Sequence, residues 1–386
     1  MDTIYLDNNA STAPDPLVIA AVSEAMASLP GNASSHHAFG FQAADAVERA
    51  RGSVAGLVGA RVRDVVFTSG ATEANNLALI GLWEASRIDS PSRVRVLVGA
   101  TEHPAVLEVA DYLATRGALV HRVRVDSLGR LDLNDLKAHL TDDVLVVSVM
   151  AANNETGTLA PLPEVSDLAH SVGALVHSDC TQAMGRVSVD MTRDGLDFMS
   201  LSAHKMHGPK GVGALVVRRG VVVFPQLRGG GHERGLRSGT INTPGVVGLG
   251  VAAELAASRL GEAIAIRAMT DKFIAKLENT VPEVELNGHP DDRLPNTANL
   301  RFVGADAEAV MMGMPQVACS TGSACSAAVP TPSPVLLAMG KSQQHAAESL
   351  RFSLSRTTTH EELMTAADLV RDSVAYVRSQ LGHEVA

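Results

Sequence analysis

The segment Ser202-Ala203-His204-Lys205 puts a lysine just past the apolar run Phe198–Leu201. A lysine at a strand end can form a Schiff base with an aldehyde, and pyridoxal 5'-phosphate (PLP) is the commonest such partner. A surface lysine in the turn leading to Gly208-Pro209-Lys210-Gly211 fits the same residues. Asp179 ends a second apolar run, Ala174–Ser178. A buried carboxylate keeps the pyridine nitrogen of PLP protonated, so Asp179 and Lys205 form a fitting pair. The plainer account of Asp179 is a helix cap before Thr181-Gln182. A phosphate would need donors, and Ser69-Gly70-Ala71-Thr72 lies at a strand-to-helix turn. Free N–H groups at that helix start and the Thr72 hydroxyl suit a dianion. Thr72 as a simple N-cap suits the same turn. Gly208–Gly213 lacks the Lys-Ser/Thr ending of a nucleotide-binding loop.

The cysteines are Cys180, Cys319 and Cys325. They form no CxxC pair, and three is no disulfide framework. Cys180 and Cys319 read as small buried residues. Cys325 differs: it lies among small residues, Ser320 to Ala328, ahead of Pro330, Pro332 and Pro334. A loop thiol that becomes a thiolate is a strong nucleophile. His36-His37 and His204/His207 lack cysteine or carboxylate partners at ligand spacing, so no metal is expected.

Polar clusters must follow strands for this chemistry to converge. Strand-like runs are expected at 65–68, 94–98, 118–124, 144–150, 174–178, 197–202 and 212–217. Helical patterns separate several of them, at 73–85, 103–116, 132–140 and 162–172, and two more precede them at 16–28 and 41–58. Continuous apolar strands alternating with helices predict an α/β fold with a mostly parallel sheet covered on both faces. Ligands in such sheets sit beyond the carboxyl ends of the strands. After residue 243 the pattern changes. One long helix is expected over 244–280, then strands at 297–302, 317–319 and 350–354 with helices at 306–312 and 360–380. This predicts a large domain over 15–255 and a small α+β domain from 1–14 and 256–386, the latter carrying the cysteine loop at about 319–334.

The chain has 386 residues with 46% hydrophobic and 19% charged side chains, which excludes disorder throughout. Apolar runs such as Val144–Val149 are far short of the ~20 residues of a membrane helix. The start, Met1-Asp2-Thr3-Ile4, has no charged-then-apolar signal region, so a cytoplasmic location is expected. A formal net charge of -10 and 3% aromatics argue against nucleic acid as a direct ligand.

An ordered set of motifs from residue 5 to about 356 resembles the NifS/IscS-type cysteine desulfurases, fold-type I PLP enzymes. The segments are Tyr5–Thr12, Gly31–Ser35, Phe67–Asn76, Thr101–Val106, Asn153–Gly157, Ser202–Lys205, Arg237–Thr240, Thr321–Ser326 and Arg351–Leu354. The resemblance implies a seven-stranded-type sheet and PLP as cofactor. It implies that Lys205 holds PLP and then serves as base, and that Asp179 pairs with the pyridine nitrogen. Gln182 and Asn154 would lie near the phenolic oxygen and substrate. His103 would stack on the ring and move protons; a core or helix-start histidine is the plainer account. Ala71, Thr72, Ser202 and His204 would bind phosphate. Thr240 would reach the phosphate of a second subunit, which implies a homodimer with shared sites. Arg351 would grip the substrate carboxylate, with Asn32 and Asn154 nearby, where a guanidinium suits better than an ammonium. Arg351 in a surface ion pair is the alternative. Cys325 would attack the sulfur of L-cysteine, leaving alanine and a Cys325 persulfide for an acceptor protein.

Two departures from the family pattern stand out. Ala203 replaces a common glycine, and Ala327–Pro332 replaces a Ser/Gly-rich run. The acceptor could serve iron–sulfur assembly, tRNA thiolation, DNA phosphorothioation or a sulfur metabolite. Alternatives are another fold-type I PLP enzyme (selenocysteine lyase, C–S lyase or aminotransferase), a non-catalytic sulfur-relay scaffold, or a nucleic-acid module.

Overall fold

The computed structural model describes residues 3–322 and 332–380. The strands, in chain order, are β1 (Ile4–Tyr5), β2 (Val65–Thr68), β3 (Arg95–Gly99), β4 (Leu119–Val123), β5 (Val144–Ser148), β6 (Leu175–Asp179), β7 (Phe198–Ser202), β8 (Gly213–Val217), β9 (Val284–Asn287), β10 (Thr297–Phe302), β11 (Val317–Ala318) and β12 (Ser349–Ser353). The longer helices are α1 (Pro16–Ser28), α2 (Ala38–Leu57), α3 (Ala71–Asp89), α4 (Pro104–Thr115), α5 (Leu133–His139), α6 (Leu162–Ser171), α7 (Thr243–Ser258), α8 (Ala263–Thr280), α9 (Ala307–Gly313) and, beyond β12, α10 (His360–Gln380).

A seven-stranded sheet in the order β2-β8-β7-β6-β5-β3-β4 forms the frame. Only the pairings of β8, with β2 and with β7, are antiparallel; the rest are parallel. Alternate residues of each strand feed opposite cores, as pleating requires. Val65, Phe67, Leu97, Val147 and Leu201 pack against Val54 of α2, Val165 of α6 and Leu249 of α7. Val66, Val96, Val98, Val146 and Phe198 pack against Leu82 and Trp83 of α3 and Leu113 of α4. Both faces are therefore covered, which is why the strands read as continuous apolar runs.

A third core joins the two ends of the chain. Ile4 and Leu6 pack with Phe273, Phe302, Phe352 and Val370. The rings of Phe273 and Phe352 meet edge to face at 5.1 Å between centroids, worth about 0.5–1.5 kcal/mol beyond area burial. β1 runs parallel to β11, and β10 is flanked by β9 and β12. This pairing fixes residues 7–11 over the carboxyl edge of the large sheet.

One expected helix divides, and the short strands β1 and β9 were not among those expected. The helix expected over 244–280 breaks at a 3-10 turn, Leu260–Glu262, where Gly261 costs a helix interior about 1 kcal/mol. β9 was not anticipated; it is a four-residue edge strand entered through Glu283 at φ 51, too short for a clear alternation. The segment around Cys325 lies outside the described residues. Among the described residues, no helix is long and apolar enough to cross a membrane.

Candidate active site

A cleft of about 640 Å³ opens at the carboxyl ends of β6 and β7. Asp179, Lys205, His103, Thr72 and Arg351 all line it. Four strand ends, two helix starts and the 9–11 segment thus converge as the alternation predicts.

Asp179 is buried and doubly held. Its Oδ2 accepts from Asn75 Nδ2 at 2.8 Å and its Oδ1 from the Thr181 N–H at 3.0 Å. It caps a turn, not a helix. Asn75 projects from α3 with no exposed surface, and its Oδ1 has no partner among the described residues. Two residues before Asp179, His177 sits between Ser148 (2.7 Å) and Ser200 (3.1 Å). Burial drives His177 down to about 4, with Asp179 opposing, so it is neutral at neutral pH.

His103 is the N-cap of α4, its Nδ1 accepting from the Ala105 N–H at 3.1 Å. The helix-start account is therefore correct, and the same ring also faces the cleft. Burial lowers its pKa, Lys205 lowers it further and Asp179 opposes. Next to it, Glu102 is fully buried, with Oε1 accepting from the Met150 N–H at 2.6 Å. Burial pushes the Glu102 pKa well above its ordinary value, helped by Asp179 and opposed by the Met150 N–H.

The N-cap of α3 is Gly70, not Thr72, and no side chain caps it. The start of α3 therefore lines the cleft with no capping side chain on its first turn, beside Ser202 and His204, an arrangement that suits an anion. β8 passes close here. A Cβ on Gly213 would meet Gly70 Cα at 2.7 Å, so only glycine allows β8 to close against this turn. Glu73 accepts from the Ser69 N–H at 2.8 Å and pairs with Arg237 at 2.8 Å. Burial alone would raise the Glu73 pKa, but Arg237 and Ser69 bring it below the usual value. Burial, Lys205 and Lys210 drive His204 to about 4.

Lys205 leaves β7 through a 3-10 turn and is half-buried, so it is no surface lysine. Its Nζ donates to the Asn9 carbonyl and, at 2.8 Å, to the Ala10 carbonyl. The Asn9 carbonyl also accepts from Gln182 Nε2 at 2.9 Å. Arg351 is 3% exposed. Its Nη1 donates to the Asn154 carbonyl at 3.0 Å and its Nη2 pairs with Asp7 at 2.6 Å. The ion pair exists but is buried, and Nε is a buried donor without a partner among the described residues.

The described residues on either side of the Cys325 segment are tied to this cleft. Ser320 exchanges backbone hydrogen bonds with Arg351, at 3.2 and 2.6 Å, and Gly322 lines the cleft. Ser333 donates to the buried Glu155 carboxylate. Cys180 and Cys319 are buried free thiols. Burial pushes Cys180 far up and Cys319 up to about 12, so neither is a thiolate at neutral pH.

Ala71, Asn154, Gln182, Ser202 and His204 also line the cleft. Asn32 and Thr240 do not. Both are exposed, and Asn32 Oδ1 accepts from the Ser34 N–H at 3.0 Å. Sequence reasoning gave no separate role to Asn9, Ala10, Asn75 or Glu102. Asn75 had a signal: it lies one turn after Thr72 on the same helix face. Asn9 and Ala10 act through carbonyl groups, which residue type does not announce. The one group of described residues with metal-ligand spacing, His121, Asp135 and His139, was also not foreseen. It is a hydrogen-bonded set whose carboxylate Arg124 already pairs, at 3.2 Å.

The cleft suits PLP on its own geometry. It offers uncapped helix N–H groups for a phosphate, a buried carboxylate with fixed donors, and a strand-end amine. The Aminotransferase class-V family profile matches residues 4–365. A cysteine desulfurase of Frankia sp. (strain EuIK1) is 47% identical, the match covering 97% of this chain and 92% of that relative. The cysteine desulfurase NifS of Azotobacter vinelandii is 44% identical, covering 98% and 94%. A solved NifS-like protein superposes with a TM-score of 0.90 at 33% identity, covering 97% of this chain and all of that one.

Proposed function

The chain belongs to the class-V aminotransferase family and, within it, to the cysteine desulfurases, and from that membership we propose how its own residues divide the work. The cofactor is PLP, which when bound supplies an electron sink for bonds at the α-carbon of an amino acid. The substrate is L-cysteine.

The α3 N-terminus, with Ala71, Thr72, Ser202 and His204, holds the phosphate. Asp179, held in place by Asn75 and Thr181, holds a proton on the pyridine nitrogen. Neutral His103 covers the ring and exchanges protons. Arg351, its Nη1 on the Asn154 carbonyl, orients the substrate carboxylate, and its Nε, without a partner among the described residues, is a donor for that task. The Lys205 amine moves a proton at the α-carbon. The Cys325 thiolate forms a bond to the substrate sulfur as the C–S bond breaks, and the carbon takes up a proton. Alanine leaves and Cys325 carries a persulfide, so atoms and electrons balance. The nucleophile is assigned to Cys325 because Cys180 and Cys319 are buried and protonated.

The persulfide passes to an acceptor protein. The enzyme acts as a homodimer with shared sites: Thr240 and Asn32 are exposed outside their own cleft, as groups serving a second copy must be. We place the large domain at 15–255, the small one at 1–14 and 256–386, and the protein in the cytoplasm. The separate core that joins Ile4 and Leu6 to Phe273, Phe302 and Phe352 supports this division.

The observation that carries the proposal is the convergence of Asp179, Lys205 and the uncapped α3 N-terminus on one cleft. Purified protein is expected to absorb near ~420 nm. With L-cysteine and a reductant it should release alanine and sulfide in equal amounts. Cys325→Ala should keep the band and lose the sulfide. Pyruvate or an amino-transfer product from the native enzyme would overturn the assignment.

A further inference from the structure

A second cavity, of about 50 Å³, shares Lys205 with the cleft. Its charged and titratable lining groups are Lys205, Arg186, Arg259, Arg356, His207 and Glu262. Arg186 is only 9% exposed. Among the described residues its guanidinium donates only to neutral oxygens: the Gln182 carbonyl (3.1 Å), Gln182 Oε1, the Asn8 carbonyl (3.1 Å) and the Lys205 carbonyl (3.4 Å). Arg259 and Arg356 share a single carboxylate oxygen, Asp15 Oδ2, Arg259 at 2.7 Å. Asp15 is itself buried and also accepts from the Leu17 N–H. Glu262 makes no ion pair among the described residues. His207 adds no charge at neutral pH, since burial drives it to about 4 and Arg356 and Arg186 oppose its protonation.

Three guanidiniums and the Lys205 amine thus line one partly open cavity, where Arg259 and Arg356 share the Asp15 carboxylate, exposed Glu262 adds a second, and buried Arg186 has no carboxylate partner among the described residues. A buried charge without a counter-charge is costly, and an anion offsets that cost. A water needs about 10–15 Å³ of such space, so the cavity admits one small ion with a few waters and excludes a nucleotide or sugar phosphate. Thr12, Asn296 and Ser355 also line it and can donate hydrogen bonds. We propose that this cavity binds a small monovalent inorganic anion of chloride size, held by Arg186, Arg259 and Arg356.

The site has a line of contact to the cleft. Arg186 holds Gln182 Oε1, Gln182 Nε2 holds the Asn9 carbonyl, and that carbonyl accepts from Lys205 Nζ. The anion anchors the far end of this relay. The inference does not depend on the reaction assigned to the cleft.

Bromide locates such a site directly. Crystals of the full-length holoenzyme grown in sodium bromide are expected to show an anomalous peak within about 3.5 Å of these guanidinium nitrogens. In parallel, replacing gluconate by chloride at constant ionic strength should raise the Tm of the native protein by about 2 °C or more. Arg356→Gln should lose at least half of that rise, and Arg186→Lys, which keeps the charge, should retain most of it. Bromide peaks confined to the surface, or an equal chloride response in native protein and Arg356→Gln, would overturn the site.

Discussion

Asn75 Nδ2 lies 2.8 Å from Asp179 Oδ2, inside a cleft where both side chains are buried and the Oδ1 of Asn75 has no partner among the described residues. Such donors fix the position and orientation of a buried carboxylate. Asn75→Ala removes one of two, at a cost of about 1–3 kcal/mol. The expected outcome is PLP affinity lower by about 5- to 150-fold, read by absorbance titration of the apoenzyme. Unchanged affinity would remove Asn75 from the account.

Glu73 brings a negative charge to the phosphate end of the cleft, and Arg237 neutralises it at 2.8 Å. Arg237→Gln leaves that carboxylate uncompensated. PLP affinity should fall about 5- to 30-fold, about 1–2 kcal/mol for a half-buried charge-assisted pair. Adding Glu73→Gln should restore part of it, since the two effects couple. Simple additivity in the double variant would show that the pair acts independently of the phosphate.

The fold was legible where burial writes itself into composition. β5, β6 and β7 read as apolar runs because both faces of the sheet are covered. Lys205, Asp179 and Thr72 stood out because polar residues follow β7, β6 and β2. The break between α7 and α8 was not legible, because apolar spacing continues across Gly261. Lys205 is held by backbone carbonyls of residues 9 and 10, and residue identity says little about a carbonyl's position. Nothing local in the sequence marks the burial of Arg186. The exposure of Asn32 and Thr240 was equally hidden, because motif membership carries no information about which cleft a residue serves.

Acid should destabilise the protein over a defined window. His177, His204 and His207 all have pKa values lowered from 6.5 to about 4 by burial. The unfolded chain binds protons there that the folded chain refuses, so stability is full above about 6.5 and is lost as pH falls toward 4. Tm measured from pH 7 to 4 should fall, and His204→Gln should shallow the slope. An unchanged slope in that variant would contradict the burial argument for His204.

Arg51 and Glu233 form a buried bidentate pair at 2.7 and 2.8 Å, and Glu233 also accepts from the Phe67 N–H. The pair ties the segment before Thr240 to β2. Arg51→Met strands the Glu233 charge and should cost about 3–5 kcal/mol in denaturant unfolding. Arg51→Met with Glu233→Gln should recover part of the loss. A single-variant loss under ~1 kcal/mol would mean the pair is dispensable.

The central claim is that sulfur passes from free cysteine to one particular thiol. A single turnover with 35S-labelled L-cysteine, trapped by a thiol-blocking reagent and digested, tests it. The account predicts label on the Cys325 peptide, matched by alanine released and abolished in Cys325→Ala. Label on Cys180 or Cys319, or full alanine release with no labelled peptide, would contradict it.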